Sequence, residues 1–488
     1  MMEKKTIKPL YWVTFILLVW LALSYAINTA QYGDNFEQFD WAHGVEISYW
    51  KHPPVTTWLL AGLNALIGVH PFNTFVLCFF CLAITVFFYR RLAGLMLSQK
   101  AADFSLMLLA TSFMFTWRAQ LYNHNLTLVM MTVVTVWYFF SRVQKESVPK
   151  GEWLVLGALA AIAVLSKYQS VIALLGLLIA FFLMRKRLGR QDLLGLCLAF
   201  LSFSILIAPH VVWFYFNYAL ISKYTFHFFS FSRPWLENLH TLVGFLLQQI
   251  RFFLTPLLIC LVTLMLSRVV SKQDHFEDEH AAIRRIFLLT QVLLPLTFVV
   301  LLNQVAGMIL ANHWGFSVFI FFPILLASQL EWRLNAIKIN LLKIFMIFQF
   351  MSIAVFVGMK LHAKHSIMTN HYDEFFPAQM ISDIVVSTWA RETHCPLNYI
   401  DGPPFEGGIV SVYSGQYPAV LEGGEPPKSP WINLHEMKQN GYILMERQPE
   451  ALRRYGQVYT LPSSLKQKYQ PLRDFYWVNV KPLERCHG

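Results

Sequence analysis

Charge is what this sequence has least of. Only 14% of its 488 residues are Asp, Glu, Lys or Arg, where a soluble domain carries about a quarter, so a soluble multi-domain protein is excluded. The chain also has no P-loop, no Gly-x-Ser-x-Gly elbow, no dinucleotide-binding glycine pattern and no His-Glu-x-x-His pair. Each pattern marks a chemistry that needs it: phosphate cradling, an exposed serine nucleophile, pyrophosphate approach or zinc ligation. An enzyme built on this chain would therefore take an activated donor through the membrane rather than from cytoplasmic ATP. Neither a metal nor another cofactor is expected, because no histidine pair has ligand spacing. Cysteine is scarce as well, with six in all. Cys78, Cys81, Cys197 and Cys260 lie in apolar stretches, where cysteine behaves as a small hydrophobe. Cys395 and Cys486 fall in a polar tail, and a disulfide between them suits a non-cytoplasmic location. No small-residue cleavage site follows the basic start and first apolar stretch, so that stretch reads as a retained helix. Internal repeats and low-complexity segments are missing too.

What is present is apolar and comes in blocks. Hydrophobic residues make up 56% of the chain and mean hydropathy is +0.46. The blocks have the length of roughly 20 residues that crosses a hydrocarbon core of about 30 Å. Candidate spans are 9–28, 72–90, 103–118, 125–141, 153–167, 169–184, 193–213, 246–267, 286–303, 315–331 and 340–359. Alternate connections are basic: Lys4, Lys5 and Lys8; Arg90, Arg91 and Lys100; Arg142, Lys145 and Lys150; Arg185, Lys186, Arg187 and Arg190; Arg268, Lys272, Arg284 and Arg285; Arg333, Lys338 and Lys343. Positive charge stays in the cytoplasm, which accounts for the net +11 without nucleic acid as a partner. The expected fold is an all-α polytopic membrane protein of about eleven transmembrane helices, residues 1–360. A small extracytoplasmic α+β domain follows at 361–488, where Pro and Gly pairs separate short alternating runs.

The outer connections hold the candidate chemistry. The first, residues 29–71, is acidic and aromatic, with Asp34, Glu37, Asp40 and Glu46 beside Trp41, Tyr49, Trp50 and Trp58. Most such carboxylates are solvated loop charges, and tryptophans at this depth are commonly interfacial. One carboxylate held in an apolar cleft would instead serve as a general base, and the tryptophans could stack on a sugar or lie along a lipid chain. Five cations remain outside against the topological bias: Lys51, Arg118, Lys167, Lys223 and Arg233. Each could be a snorkelling side chain; together they would suit a phosphate whose negative charge grows as it leaves. Lys167 ends an otherwise apolar span, where a charge is costly and usually functional. His52, His124, His210, His227 and His313 also fall at outer span ends.

At this point the motifs resemble a family. Asp34-Asn35, Trp50-Lys51-His52-Pro53-Pro54, Leu165-Ser166-Lys167-Tyr168, the Pro209 to Asn217 stretch and Asn312-His313-Trp314 follow one another in the order of a known set. That set belongs to the bacterial dolichyl-phosphate-mannose protein mannosyltransferase-like glycosyltransferases, glycosyltransferase family 39, of the GT-C fold and related to lipid A aminoarabinose transferase. The resemblance covers about residues 9–330. It implies inverting transfer of a sugar from a polyprenyl-phosphate carrier to a cell-envelope glycolipid or glycan, at the non-cytoplasmic face of a bacterial inner membrane. It implies Asp34 as base, with Lys51, His52, Lys167 and Tyr168 at the donor phosphate and Arg118, Lys223 and Arg233 as further phosphate candidates. Glu37, Asp40, Trp41, Trp50, His124, Asn125, His313 and Trp314 are candidates for substrate contact, and Glu37 or Asp40 is an alternative base. The chain departs from the family where the second acid of the first-loop pair is Asn35, where Lys51 precedes His-Pro-Pro, and where His124 and Asn125 stand at an acidic position. Protein O-mannosyl transfer is the alternative within enzymes, and a lipid-linked sugar flippase is the alternative of another class. Polar groups concentrated at outer span ends, rather than at mid-membrane, favour surface chemistry over passage.

Overall fold

The computed structural model describes all residues except 1–2, 146, 186–188, 268–280, 337–339, 366–372, 469–474 and 484–488. Lys186, Arg187, Arg268, Lys272 and Lys338, expected on the cytoplasmic side, and the disulfide candidate Cys486 lie outside the described residues. Cys395 is disulfide-bonded, while Cys78, Cys81, Cys197 and Cys260 are free.

Helix α1 (Glu3–Ile27) runs into two short outer helices, α2 (Gly33–Trp41) and α3 (Val55–Ile67). The helices that follow are α4 (Phe72–Ala93) packed with α5 (Gln99–Ala110), α6 (His124–Val143) packed with α7 (Lys150–Ser166), then α8 (Ser170–Met184) and α9 (Arg190–Phe216), of which α9 packs on α7. Then come α10 (Tyr218–Phe226), α11 (Trp235–Phe252), α12 (Leu254–Leu266), α13 (Ala281–Leu288), α14 (Leu294–Ala306), α15 (Gly315–Val318), α16 (Phe322–Ala336) and α17 (Leu341–His365). Local sequence explains the breaks. Asn123 caps α6, its Oδ1 accepting from the N–H groups of Asn125 and Leu126, and so meets two of the donors a helix start leaves unpaired. Pro295 has no N–H to give the preceding turn, and a π-turn at Leu289–Leu293 joins α13 to α14.

Among the described residues six helices are long and apolar enough to cross a membrane, or eight if the pairs α11–α12, bent by 60°, and Asn312–Val318 with Phe322–Leu334, bent by 52°, each count as one. The expected spans at 103–118, 153–167 and 169–184 are realised as α5, α7 and α8, of 12, 17 and 15 residues. Hydropathy counts apolar residues, whether or not they stay helical, so it ran past the turns after Ala110. α9 presents Phe200, Leu201 and Ile205 outward on a helix only 11% buried, as a lipid-facing helix does. The chain is a multi-pass membrane protein.

Polar side chains also join helices in the interior. Trp20 Nε1 donates to Gln349 Oε1 at 2.9 Å, and Gln349 Nε2 donates to the Ala110 carbonyl at 2.8 Å, joining α1, α17 and α5. Small residues allow close approach: a Cβ on Gly157 of α7 would lie 2.0 Å from the Ala199 carbonyl oxygen of α9.

Beyond α17, helix α18 (Ala378–Thr393) precedes a five-stranded sheet. Its strands are β1 (Tyr399–Gly402), β2 (Ala419–Glu422), β3 (Tyr442–Glu446), β4 (Tyr459–Thr460) and β5 (Tyr476–Val480), in spatial order β2-β1-β3-β5-β4. β1 runs parallel to β2 and β3, with Ile400 beside Val420 and Ile443, while β5 is antiparallel to β3 and β4. Helix α19 (Pro404–Tyr413) connects β1 to β2 and packs on α2. A Cβ on Gly408 would lie 2.6 Å from Phe36 Cβ, so the first outer loop is pressed directly against this α+β unit.

Candidate active site

Asp34 sits in the first turn of α2, where a carboxylate complements the positive end of the helix dipole. Its neighbours explain its orientation. The cap of α6 uses up Asn123 Oδ1, so the amide of Asn123 turns outward and donates to Asp34 Oδ2 at 2.8 Å. Asn35 is fully buried, accepting from the Tyr122 N–H at 3.1 Å and donating to Gln31 Oε1 at 2.6 Å. An amide serves both bonds and a carboxylate could not donate the second, which accounts for Asn35 where an acid is expected.

Asp34 opens into a cavity of about 360 Å³. Glu37 and Gln38 of α2, Lys51 and His52 of the first loop, and Asn123, His124 and Asn125 at the start of α6 line one part. Lys167, Tyr168, Tyr224, Phe228, Met308, His313 and Trp314 line the rest. Its two lysines differ. Lys51 is ion-paired with Glu37 and lies 4.5 Å from the Trp50 ring centroid. Lys167 is 7% exposed, and its ammonium donates to Asn125 Oδ1 at 2.5 Å. Among the described residues no carboxylate lies within ion-pairing distance of Lys167. The Asp34 carboxylate acts on Lys167 across the cavity from beyond ion-pairing distance. A buried cation held this way is only partly compensated, and an anion entering the cavity would add to what Asp34 supplies.

Burial sets the charge states of the loop groups. It pushes the Glu37 carboxyl up to about 7, against the opposing pull of Lys51. Burial, together with the charges of His124, Lys167 and Lys51, lowers His52 well below the usual imidazole range, so that ring is neutral. The His52 and His124 rings are 4.3 Å apart, and His124 Nε2 lies 3.1 Å from the Pro53 carbonyl oxygen. That carbonyl can only accept, so Nε2 of His124 carries the proton. Among the described residues no three His, Cys, Asp or Glu side chains converge as a metal-ligand set.

Residues 51–213, which contain Lys51, His52, Lys167 and Tyr168, match the family model of dolichyl-phosphate-mannose-protein mannosyltransferase. Over 96% of this chain and 98% of the other, the fold is similar to that of ArnT from Cupriavidus metallidurans bound to undecaprenyl phosphate. The TM-score is 0.58 at 13% sequence identity. The chain is a glycosyltransferase of the GT-C fold. The apo form of the Cupriavidus metallidurans protein is similar over the same shares, with a TM-score of 0.53 and 12% identity. No curated protein matches the chain.

The glycosyltransferase brings Asp34, Glu37, Lys51, His52, His124, Asn125, Lys167, Tyr168, His313 and Trp314 to one cavity. Six other candidates lie elsewhere. Asp40 is buried, and its Oδ1 accepts from the Val420 N–H at 3.0 Å. Trp41 is fully buried and stacked on Tyr49 at 5.0 Å, so it offers no free face to a sugar. Trp50 donates its indole N–H to Glu422. Arg118 lines a second cavity and lies over the Tyr32 ring at 5.0 Å. Lys223 is exposed on α10, and Arg233 pairs with Glu237 at 3.2 Å. Sequence reading missed Asn123, Tyr224, Phe228 and Met308. Of these, Asn123 carried a signal, because an Asn immediately before an apolar run is a helix cap.

Proposed function

We propose that this membrane glycosyltransferase moves a sugar from a polyprenyl-phosphate carrier to a hydroxyl of a cell-envelope glycolipid or glycan. The reaction takes place on the non-cytoplasmic face of a bacterial inner membrane. The observation that carries this reading is the pairing, in one cavity, of a fixed, solvent-reaching carboxylate with a buried cation that has no ion pair among the described residues. Asn123 holds Asp34 Oδ2, and Oδ1 takes the proton of the acceptor hydroxyl. The acceptor oxygen attacks the anomeric carbon from the side opposite the phosphate, the carbon–oxygen bond to the phosphate breaks, and configuration inverts. The leaving polyprenyl phosphate keeps the bonding electron pair, and Lys167 meets the charge that develops on it. Lys51, restrained by Glu37, adds positive potential, and neutral His52 can donate a hydrogen bond to a phosphate oxygen. No cofactor enters this scheme. ArnT in complex with undecaprenyl phosphate has the same fold, which supports a polyprenyl phosphate as carrier here.

The matched family model, a protein mannosyltransferase, favours a protein hydroxyl as the second reading for the acceptor. Mass spectrometry of envelope lipids, glycans and proteins from cells with and without the chain separates the two. A sugar lost from a glycolipid supports the proposal, and one lost from a protein supports the second reading. The mechanism is tested by Asp34→Asn in membranes supplied with polyprenyl-phosphate sugars, where transfer should fall while donor binding persists.

A further inference from the structure

The α+β unit holds the first loop through several residues, among them Tyr417, whose hydroxyl donates to the Phe39 carbonyl, and Glu422. Glu422, the last residue of edge strand β2, is 2% exposed. Its Oε1 accepts the Trp41 indole N–H at 2.7 Å, and its Oε2 accepts the Trp50 indole N–H at 2.9 Å. These two indoles flank residues 42–49, and the cavity groups of the first loop lie just outside them on either side. Trp41 ends α2, the helix that carries Asp34 and Glu37, and Trp50 precedes Lys51 and holds its ammonium 4.5 Å from the ring centroid. The Lys428 ammonium lies 4.8 Å from the same ring. Edge strand β2 also presents the Val420 N–H to Asp40, so a sheet edge that would otherwise leave donors open grips the loop at two points.

We infer that Glu422 is a positioning residue for the transferase. Its carboxylate sets the distance between Trp41 and Trp50 and thereby places Lys51 at the cavity beside Lys167. Glu422 touches no substrate itself. The two indole N–H groups face different oxygens of Glu422, and a carboxylate accepts at both positions whereas an amide accepts at only one. Glu422→Gln keeps the volume but turns an NH₂ group toward one indole N–H, so one tryptophan must let go.

The inference rests on the cavity being the phosphate site, and the experiment keeps the two apart. Full-length protein in lipid nanodiscs is titrated with undecaprenyl phosphate as the probe, and thermal midpoints are recorded in parallel. Lys167→Gln should weaken binding about ten- to hundredfold, the worth of a hydrogen bond to a charged group. Glu422→Gln should weaken it about tenfold, with a folded, cooperative thermal transition. Trp50→Phe, which removes one donor, should weaken it to a similar degree. The double variant Glu422→Gln/Trp50→Phe should be no worse than Glu422→Gln alone, since the clash it creates is gone and the two residues act as a unit. Should Lys167→Gln bind as wild type does, the cavity is not the phosphate site and the underlying reading fails. Should Lys167→Gln weaken binding while Trp50→Phe does not, or should the Glu422 and Trp50 effects add in full, Glu422 has no positioning role. The Trp50→Phe arm decides the matter even if Glu422→Gln does not fold.

Discussion

Two cavities reach the same short stretch of the first loop, Asp34 lining one and Tyr32 the other. They are similar in size, about 360 and 430 Å³, and each holds cations at the outer ends of spans. Their charge balance differs. In the second cavity Lys360 is ion-paired with Glu374, Asp373 stands next to it, and Arg118 is spread over the Tyr32 ring. In the first, Lys51 has Glu37, but among the described residues Lys167 has no ion pair: its ammonium donates to the amide of Asn125, and Asp34 acts on it from beyond ion-pairing distance. Position at a membrane edge therefore does not mark a functional cation. The missing ion pair does, and it distinguishes Lys167 from Lys360 although both lysines are buried.

The contrast can be broken most forcefully at Asp34. Asp34→Asn should cut sugar transfer by about two to four orders of magnitude, the usual worth of a positioned general base, without weakening undecaprenyl phosphate binding. Undiminished transfer would move the base elsewhere in the loop. Next in size, the two lysines should fail in opposite ways. Lys360→Gln leaves Glu374 buried with Tyr32 as its remaining side-chain donor, so stability should drop by about 3 kcal/mol while donor affinity holds. Lys167→Gln should lose transfer and affinity while the thermal midpoint holds or rises, because a buried charge with no ion pair among the described residues is removed.

A smaller effect concerns pH. In the fold Glu37 keeps its proton up to about 7, against an ordinary value of 4.5. Between those values the native chain binds more protons than the unfolded one, so this group's contribution to stability declines as pH rises from about 4.5 to about 7 and is level above that. Glu37→Gln should flatten that part of the melting profile, and an unchanged slope would assign it to another group. Smallest of all, Lys223→Gln and Arg233→Gln should change transfer less than about twofold, since an exposed cation or surface pair contributes little.

Legibility in the sequence followed the range of the interactions. Lys167 stood out because a charge inside an apolar run is locally anomalous, and Asp34 because an acidic, aromatic loop between apolar spans is a local feature. Alternation in the tail was a mixed guide: the run 441–448 contains β3, but the run 407–414, which also alternates, lies on helix α19 and its C-terminal cap. Three things did not show. Asn123 was visible as a cap, but its second hydrogen bond to Asp34 joins residues 89 apart. Glu422 read as an ordinary strand-end acid, because the indoles it holds lie 381 and 372 positions earlier. Trp41 and Trp50 carried the same local signal as sugar-stacking residues, and only tertiary packing shows that their N–H groups are spoken for. The helix count suffered from the same cause: average hydropathy does not register the bend between Phe252 and Leu254 or the turns that shorten α5.

The account depends on which cavity takes the carrier phosphate, and photolabelling reads that directly. A photoreactive undecaprenyl phosphate analogue, with its reactive group next to the phosphate, would be bound to the full-length protein in nanodiscs, irradiated and mapped by peptide mass spectrometry. Adducts on the segments 123–125 and 167–169 are the predicted result, competed away by unmodified undecaprenyl phosphate. Competed adducts on 117–118 and 373–375 would place the phosphate beside Arg118 and Lys360 and contradict the account.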